Sequence, residues 1–105
     1  MVEAPLTLEQ ALRLRLGETR GTALFSDLRA HLARDAVFVV AETVELLDAA
    51  VAVAMDDVAT VGRWIESNEL RKPTADEREQ WRLAVGRRWQ AIVVQPFVLV
   101  QDRDD

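Results

Sequence analysis

A chain of 105 residues, half hydrophobic and 30% charged, has the balance of an ordinary folded domain and can bury roughly two-thirds of its unfolded surface without a staple. It has no cysteine, which excludes disulfides, thiol nucleophiles and thiolate metal sites. Its net charge of -5 argues against a general polyanion binder, whose affinity comes from neutralising phosphates. No apolar run reaches the ~18 residues of a membrane span, and no basic-then-apolar signal segment opens the chain, so a single cytoplasmic domain over 1–105 is expected.

Thr7-Leu8-Glu9-Gln10 has the form of a capping box and predicts a helix with Leu8, Leu12 and Leu16 as its apolar stripe, ending near Gly17. Gly21-Thr22 punctuates. A second helix is predicted to about Arg34, burying Leu24, Phe25, Leu28 and Leu32, with the lone His31 at the edge of that face. Without a second His or a Cys as co-ligand, His31 takes a packing or surface role rather than a metal or catalytic one.

Ala36 to Ala41 is a strand by its β-branched and aromatic content, and its lack of alternation implies cover on both faces. Thr43 suits the N-cap of a central helix that is apolar nearly all round and closes at Asp56-Asp57; before that pair its charges are Glu45 and Asp48. In the next helix Val58, Val61, Trp64 or Ile65 form the expected buried stripe, and Ser67-Asn68-Glu69 ends it.

Arg71-Lys72-Pro73 is a short connection, and Thr74-Ala75-Asp76-Glu77 is a second capping box. The basic helix it opens, 75–88, sets Trp81, Val85 and Trp89 in one row and Arg78 and Arg82 in the next. Residues 91–101 read as one long strand bent at Pro96, or as two pieces in line, because Gln95-Pro96 lacks the Gly or Asn of a tight hairpin. Phe97, Leu99 and Gln101 would then face opposite to Val98 and Val100, and 102–105 would be a frayed tail.

The expected fold class is α+β. About five helices pack on a small, mainly antiparallel β-sheet with strands near 36–41 and 91–101, in the order helix-helix-strand-helix-helix-helix-strand. Two strands make a thin sheet with exposed edges. Either the final segment makes extra pairings or two chains share a sheet, and a homodimer is the expectation.

Val39-Val40-Ala41 through Asp56-Asp57, then Trp64-Ile65, Leu70 and Trp81, and above all the run Trp89 to Gln101 with its valines on either side of Pro96-Phe97, resemble the small bacterial proteins grouped as domain of unknown function 2288. The resemblance spans Leu16 to Gln101. Phe25 and Phe97 stand where that pattern has Trp, Glu42 where it has Pro, and Asp35 where it has Gly. The resemblance implies no activity.

No catalytic, metal or cofactor-binding set emerges from the residues. Glu45 and Asp48 lie one helical turn apart, but Asp56 would sit roughly 16 Å from Glu45 along the axis at 1.5 Å per residue, too far to share an ion. Their expected roles are complementing the helix dipole and pairing with Arg78 or Arg82. Eight acidic residues against the single Arg63 in 35–69, and six basic against three acidic in 71–88, suggest that the two segments face each other within the fold or across a dimer. The candidate contacts are Glu45, Asp48, Arg78, Arg82, Trp81 and Trp89. The leading expectation is a non-catalytic binding or interaction module, homodimeric, that takes an unidentified protein or small-molecule ligand and uses no cofactor and no membrane. One alternative is a carboxylate-based metal-dependent enzyme using Glu45 and Asp48; a second is nucleic-acid binding through the basic helix 75–88.

Overall fold

In the computed structural model, which describes residues 5–102, the chain runs α1 (Leu8–Thr19), β1 (Gly21–Ala23), α2 (Phe25–Ala33), β2 (Val37–Val40), α3 (Leu46–Ala54), α4 (Val58–Glu66), β3 (Leu70–Arg71), α5 (Ala75–Leu83), β4 (Trp89–Val94) and β5 (Phe97–Asp102). This is an α+β fold, as expected. The five strands form one mixed sheet in the order β1-β4-β5-β2-β3. β2 runs parallel to β5 with Phe38 opposite Leu99, and every other pairing is antiparallel.

Helices cover both faces, which explains why β2 and β5 are continuous apolar runs. On one face Val40, Ile92, Val94 and Leu99 pack with Leu16 of α1 and with Leu46, Ala49 and Ala50 of α3. The two alanines have no exposed surface, so α3 lies close on the sheet. On the other face Val37, Trp89, Val98 and Val100 pack with Leu28 and Leu32 of α2 and with Trp81 of α5. Leu99 therefore faces opposite to Val98 and Val100, as the alternation predicts. Removing side chains such as Leu46, Ile92 and Leu99 from water contributes about 1.5–3 kcal/mol each.

Both capping boxes form. The Thr7 N–H donates to Gln10 Oε1 at 2.8 Å and the Thr74 N–H to Glu77 Oε1 at 3.0 Å, while each threonine hydroxyl accepts from the third helical N–H at 3.1 Å. Three helices end alike. Asp35, Asp56 and Asn68 have φ of 60°, 56° and 65°, and the residue after each donates back into the last turn: Ala36 to His31, Asp57 to Ala52 and Glu69 to Trp64. This is the left-handed closing turn that usually takes glycine, and it accounts for a glycine at position 35 in the pattern that the chain resembles.

Several expectations are corrected. Gln95-Pro96 does turn a hairpin: Val94 pairs with Phe97, and the Gln95–Pro96 peptide is cis, the arrangement in which proline occupies the third position of a tight reversal. Gly21-Thr22 belongs to an edge strand rather than punctuating, and Arg71, expected in a connection, forms the other edge strand with Leu70; both are stabilised by neighbours distant in sequence. The sheet is thus widened within one chain, and the motive for sharing it between two chains lapses. The basic helix stops at Leu83 instead of reaching 88: Val85 is 97% exposed and Trp89 opens β4. Thr43 does not cap α3; Glu45 does. Of the expected tail, Asp102 ends β5 and 103–105 fall outside the described residues.

Candidate binding cleft

The largest departure from expectation is α4. Its stripe was expected to be core, yet none of its residues is buried. Val58 is 73% exposed and Ile65 54% exposed. Half-buried Val61 and Trp64 attach the helix to the core. The outer side of that stripe borders a cleft of about 300 Å³ lined by Val53 at the end of α3, by Val58, Val61, Gly62 and Ile65, and by Phe97. Asp56 and Asp57 complete the lining.

Local chemistry sets this cleft in place. α3 closes on the left-handed Asp56, and Asp57 caps α4 by accepting from the Thr60 N–H at 3.2 Å, so the chain reverses within a few residues and lays α4 beside α3. Beyond α4, Glu69 accepts from the hydroxyls of Ser67 at 2.7 Å and Thr43 at 2.5 Å, tying the exit of α4 to the loop before α3. Phe97 is held edge-on by Phe38, with ring centroids 5.4 Å apart. Hydrogen bonds from Thr60 hold the Asp57 carboxyl below its ordinary range, with Arg63 adding to the effect. The Thr43 and Ser67 hydroxyls do the same for Glu69. Both groups are anionic at neutral pH.

The side chains singled out in the sequence lie elsewhere. Glu45 precedes the first turn of α3 and binds Arg20 at 2.6 Å; that contact, first among several, lowers its pKa. Asp48 binds Arg13 at 2.7 Å. Neither meets Arg78 or Arg82, because α5 packs on the opposite face of the sheet from α3. Arg78 binds Asp35 at 3.0 Å, and Arg82 binds Glu79 at 2.5 Å. Of the acidic and basic segments, Asp35 alone joins them among the described ion pairs, through Lys72 and Arg78. The two carboxylates each hold a different arginine of the α1 region, and among the described residues no three His, Asp or Glu side chains are grouped to hold a metal ion.

Trp81 and Trp89 are brought together by the tertiary fold rather than by one helix. They are 4% and 1% exposed, their rings 4.9 Å apart, and the Arg87 guanidinium lies 4.8 Å over Trp89 while binding Asp102. They border a second cleft, of about 230 Å³, at the end of β2. Its Glu77 accepts two hydrogen bonds from Arg71, at 2.6 and 2.9 Å, and that contact, opposed by burial, brings its pKa down to about 2. The charges of this cleft are largely spent on one another. Sequence reasoning missed the α3–α4 cleft because an apolar stripe at helical spacing reads equally as core or as interface. Gly62 in the middle of it was the available signal.

These features define a small α+β domain with one mixed sheet between two helical layers and an apolar cleft at the outer edge of one layer. The chain belongs to the family described as protein of unknown function (DUF2288), which it matches over residues 11–102, so the expected resemblance holds. Its structure is similar to the solution NMR structure of PA1075 from Pseudomonas aeruginosa, with a TM-score of 0.76 and 26% identity, over 97% of this chain and 95% of that one. No curated protein matches it. Among the described residues no helix is long and apolar enough to cross a membrane.

Proposed function

We propose that this protein is a non-catalytic interaction module that binds a partner through the α3–α4 cleft. The observation that carries the reading is the solvent-facing stripe of α4, where Val58 and Ile65 stay more than half exposed beside a cleft lined by Val53, Val61 and Phe97. Single exposed apolar residues are ordinary; a contiguous set around a concavity marks a binding face. Against a carboxylate-based acid–base site, Asp35, Glu45, Glu77 and Glu79 are each paired with an arginine, which favours the ionised form and leaves them poor proton donors. Against nucleic acid, Arg71, Arg82 and Arg87 are each paired with a carboxylate, and Lys72 and Arg78 share that of Asp35.

The test is a titration of 15N-labelled protein with an uncharged amphipathic helical peptide, comparing the native chain with the V58S/I65S variant. Resonance shifts confined to Val53, Val58, Val61, Gly62, Ile65 and Phe97, lost in the variant while its melting temperature is kept, support the reading. Shifts elsewhere overturn it. So does a sedimentation result in which the native chain is a dimer and V58S/I65S a monomer, because the cleft would then belong to a second copy.

A further inference from the structure

The cleft carries a charge pattern as well as an apolar one. Its lining includes the carboxylates of Asp56 and Asp57 and no cation. At the other end of α4, Glu66 lies one turn after Gly62 and is exposed, a further carboxylate near the stripe though outside the lining. Arg63, the one cation of the helix, is outside the lining; its guanidinium turns back toward Thr60 and acts on Asp57 from there. The middle of the apolar stripe is open. A Cβ built on Gly62 meets nothing within 4 Å, so neither a turn nor internal packing requires glycine there, and a helix interior normally disfavours it. A backbone left bare at the centre of a cleft admits the close approach of another chain.

Resting on the assignment of this cleft as the binding face, we propose that its partner is a basic amphipathic helix of another protein. The helix would set its apolar side chains against Val58, Val61, Ile65 and Phe97, cross over Gly62, and place Lys or Arg beside Asp56, Asp57 and Glu66. The mode is an apolar helical face laid in an apolar groove. The acidic edge decides between partners. It repels the phosphates of nucleic acid and the anionic headgroups of a membrane. In a two-fold contact between copies, antiparallel α4 helices would bring the Asp57 end of one against the Glu66 end of the other, like charge on like.

The experiment uses three synthetic helical peptides with the same leucines at i, i+3, i+4 and i+7, their polar positions filled with Lys and Arg, with Gln, or with Glu. Binding to the whole chain is measured by fluorescence anisotropy at low and high salt, and repeated with D56N/D57N, since Asn keeps both the left-handed turn at 56 and the helix cap at 57. The basic peptide is expected to bind about 10-fold more tightly than the Gln peptide at low salt, the advantage shrinking as salt screens it, and D56N/D57N to remove most of that advantage. Equal binding of the basic and Gln peptides, or an unchanged preference in D56N/D57N, overturns the basic partner while leaving the cleft as a binding face. Failure of all three peptides to bind overturns the cleft itself. Anionic vesicles or single-stranded DNA that shift the cleft resonances overturn the choice of partner.

Discussion

Gly62→Ala separates stability from binding at one atom. Position 62 lies inside α4, four residues after its first residue and four before its last. The added methyl meets no neighbour within 4 Å, so no clash opposes the gain in helix propensity. Glycine is about 0.8–1.0 kcal/mol less favourable than alanine in a helix interior. The variant should therefore be more stable by about 0.5–1 kcal/mol, a rise of roughly 3–6 °C in melting temperature for a domain of this size. The same methyl projects into the cleft, where a partner helix would cross, so binding of the basic peptide should weaken even as the fold gains. Calorimetry or denaturant unfolding reads the first quantity and anisotropy the second. A neutral or destabilised variant would refute the open environment of Gly62. A stabilised variant with undiminished binding would refute its role as the crossing point.

Glu77→Gln tests the Arg71 contact. With a folded pKa of about 2 against an ordinary 4.5, the ionised Glu77 stabilises the fold fully above pH 4.5, and this contribution is lost as the pH falls toward 2. The variant should be less stable by about 1–2 kcal/mol at pH 7, after allowance for solvent screening of a partly exposed pair, and the difference should close near pH 2; a constant difference across that range would show that Arg71 is not its cause. Gln101→Leu removes the amide whose Nε2 donates to the carbonyls of Ala41 at 2.9 Å and Val44 at 2.7 Å; the Ala41 carbonyl keeps the Val44 N–H at 3.1 Å, and leaving that of Val44 unpaired should cost about 1–3 kcal/mol in urea unfolding. Asn68→Gly should instead stabilise by up to about 1 kcal/mol, since Asn68 sits at φ 65° where glycine pays no Cβ penalty; a loss of stability would mean that the asparagine side chain contributes there.

Much of the fold was legible in the residues. The two capping boxes, the β-branched run of β2 and the opposed faces of β5 follow from short-range stereochemistry, which the chain carries wherever it is placed. The chain ends of the helices were legible in part: Asp56 and Asn68 stood at the right places, but without glycine they did not announce a left-handed turn. Charge segregation between 35–69 and 71–88 was real in sequence but became contact at Asp35 alone among the described ion pairs, through Lys72 and Arg78. Glu45 and Asp48 found Arg20 and Arg13 on their own side of the sheet, and Arg78 and Arg82 were carried to the other.

By itself, then, the sequence determined the element types, most of the core residues and the family, because propensity, capping and apolar periodicity are local properties. The tertiary structure decided what local properties cannot. It added β1 and β3, whose few residues are strands only because β4 and β2 present backbone partners to them. It turned Gln95-Pro96 into a hairpin whose second strand lies against β2. Above all it decided which apolar surface faces inward: α3 is apolar nearly all round and α4 along one side, but the sheet has room for α3 directly upon it, and α4, laid outside α3, keeps Val58 and Ile65 in water. Periodicity states that a helix has a face; only packing states what that face meets.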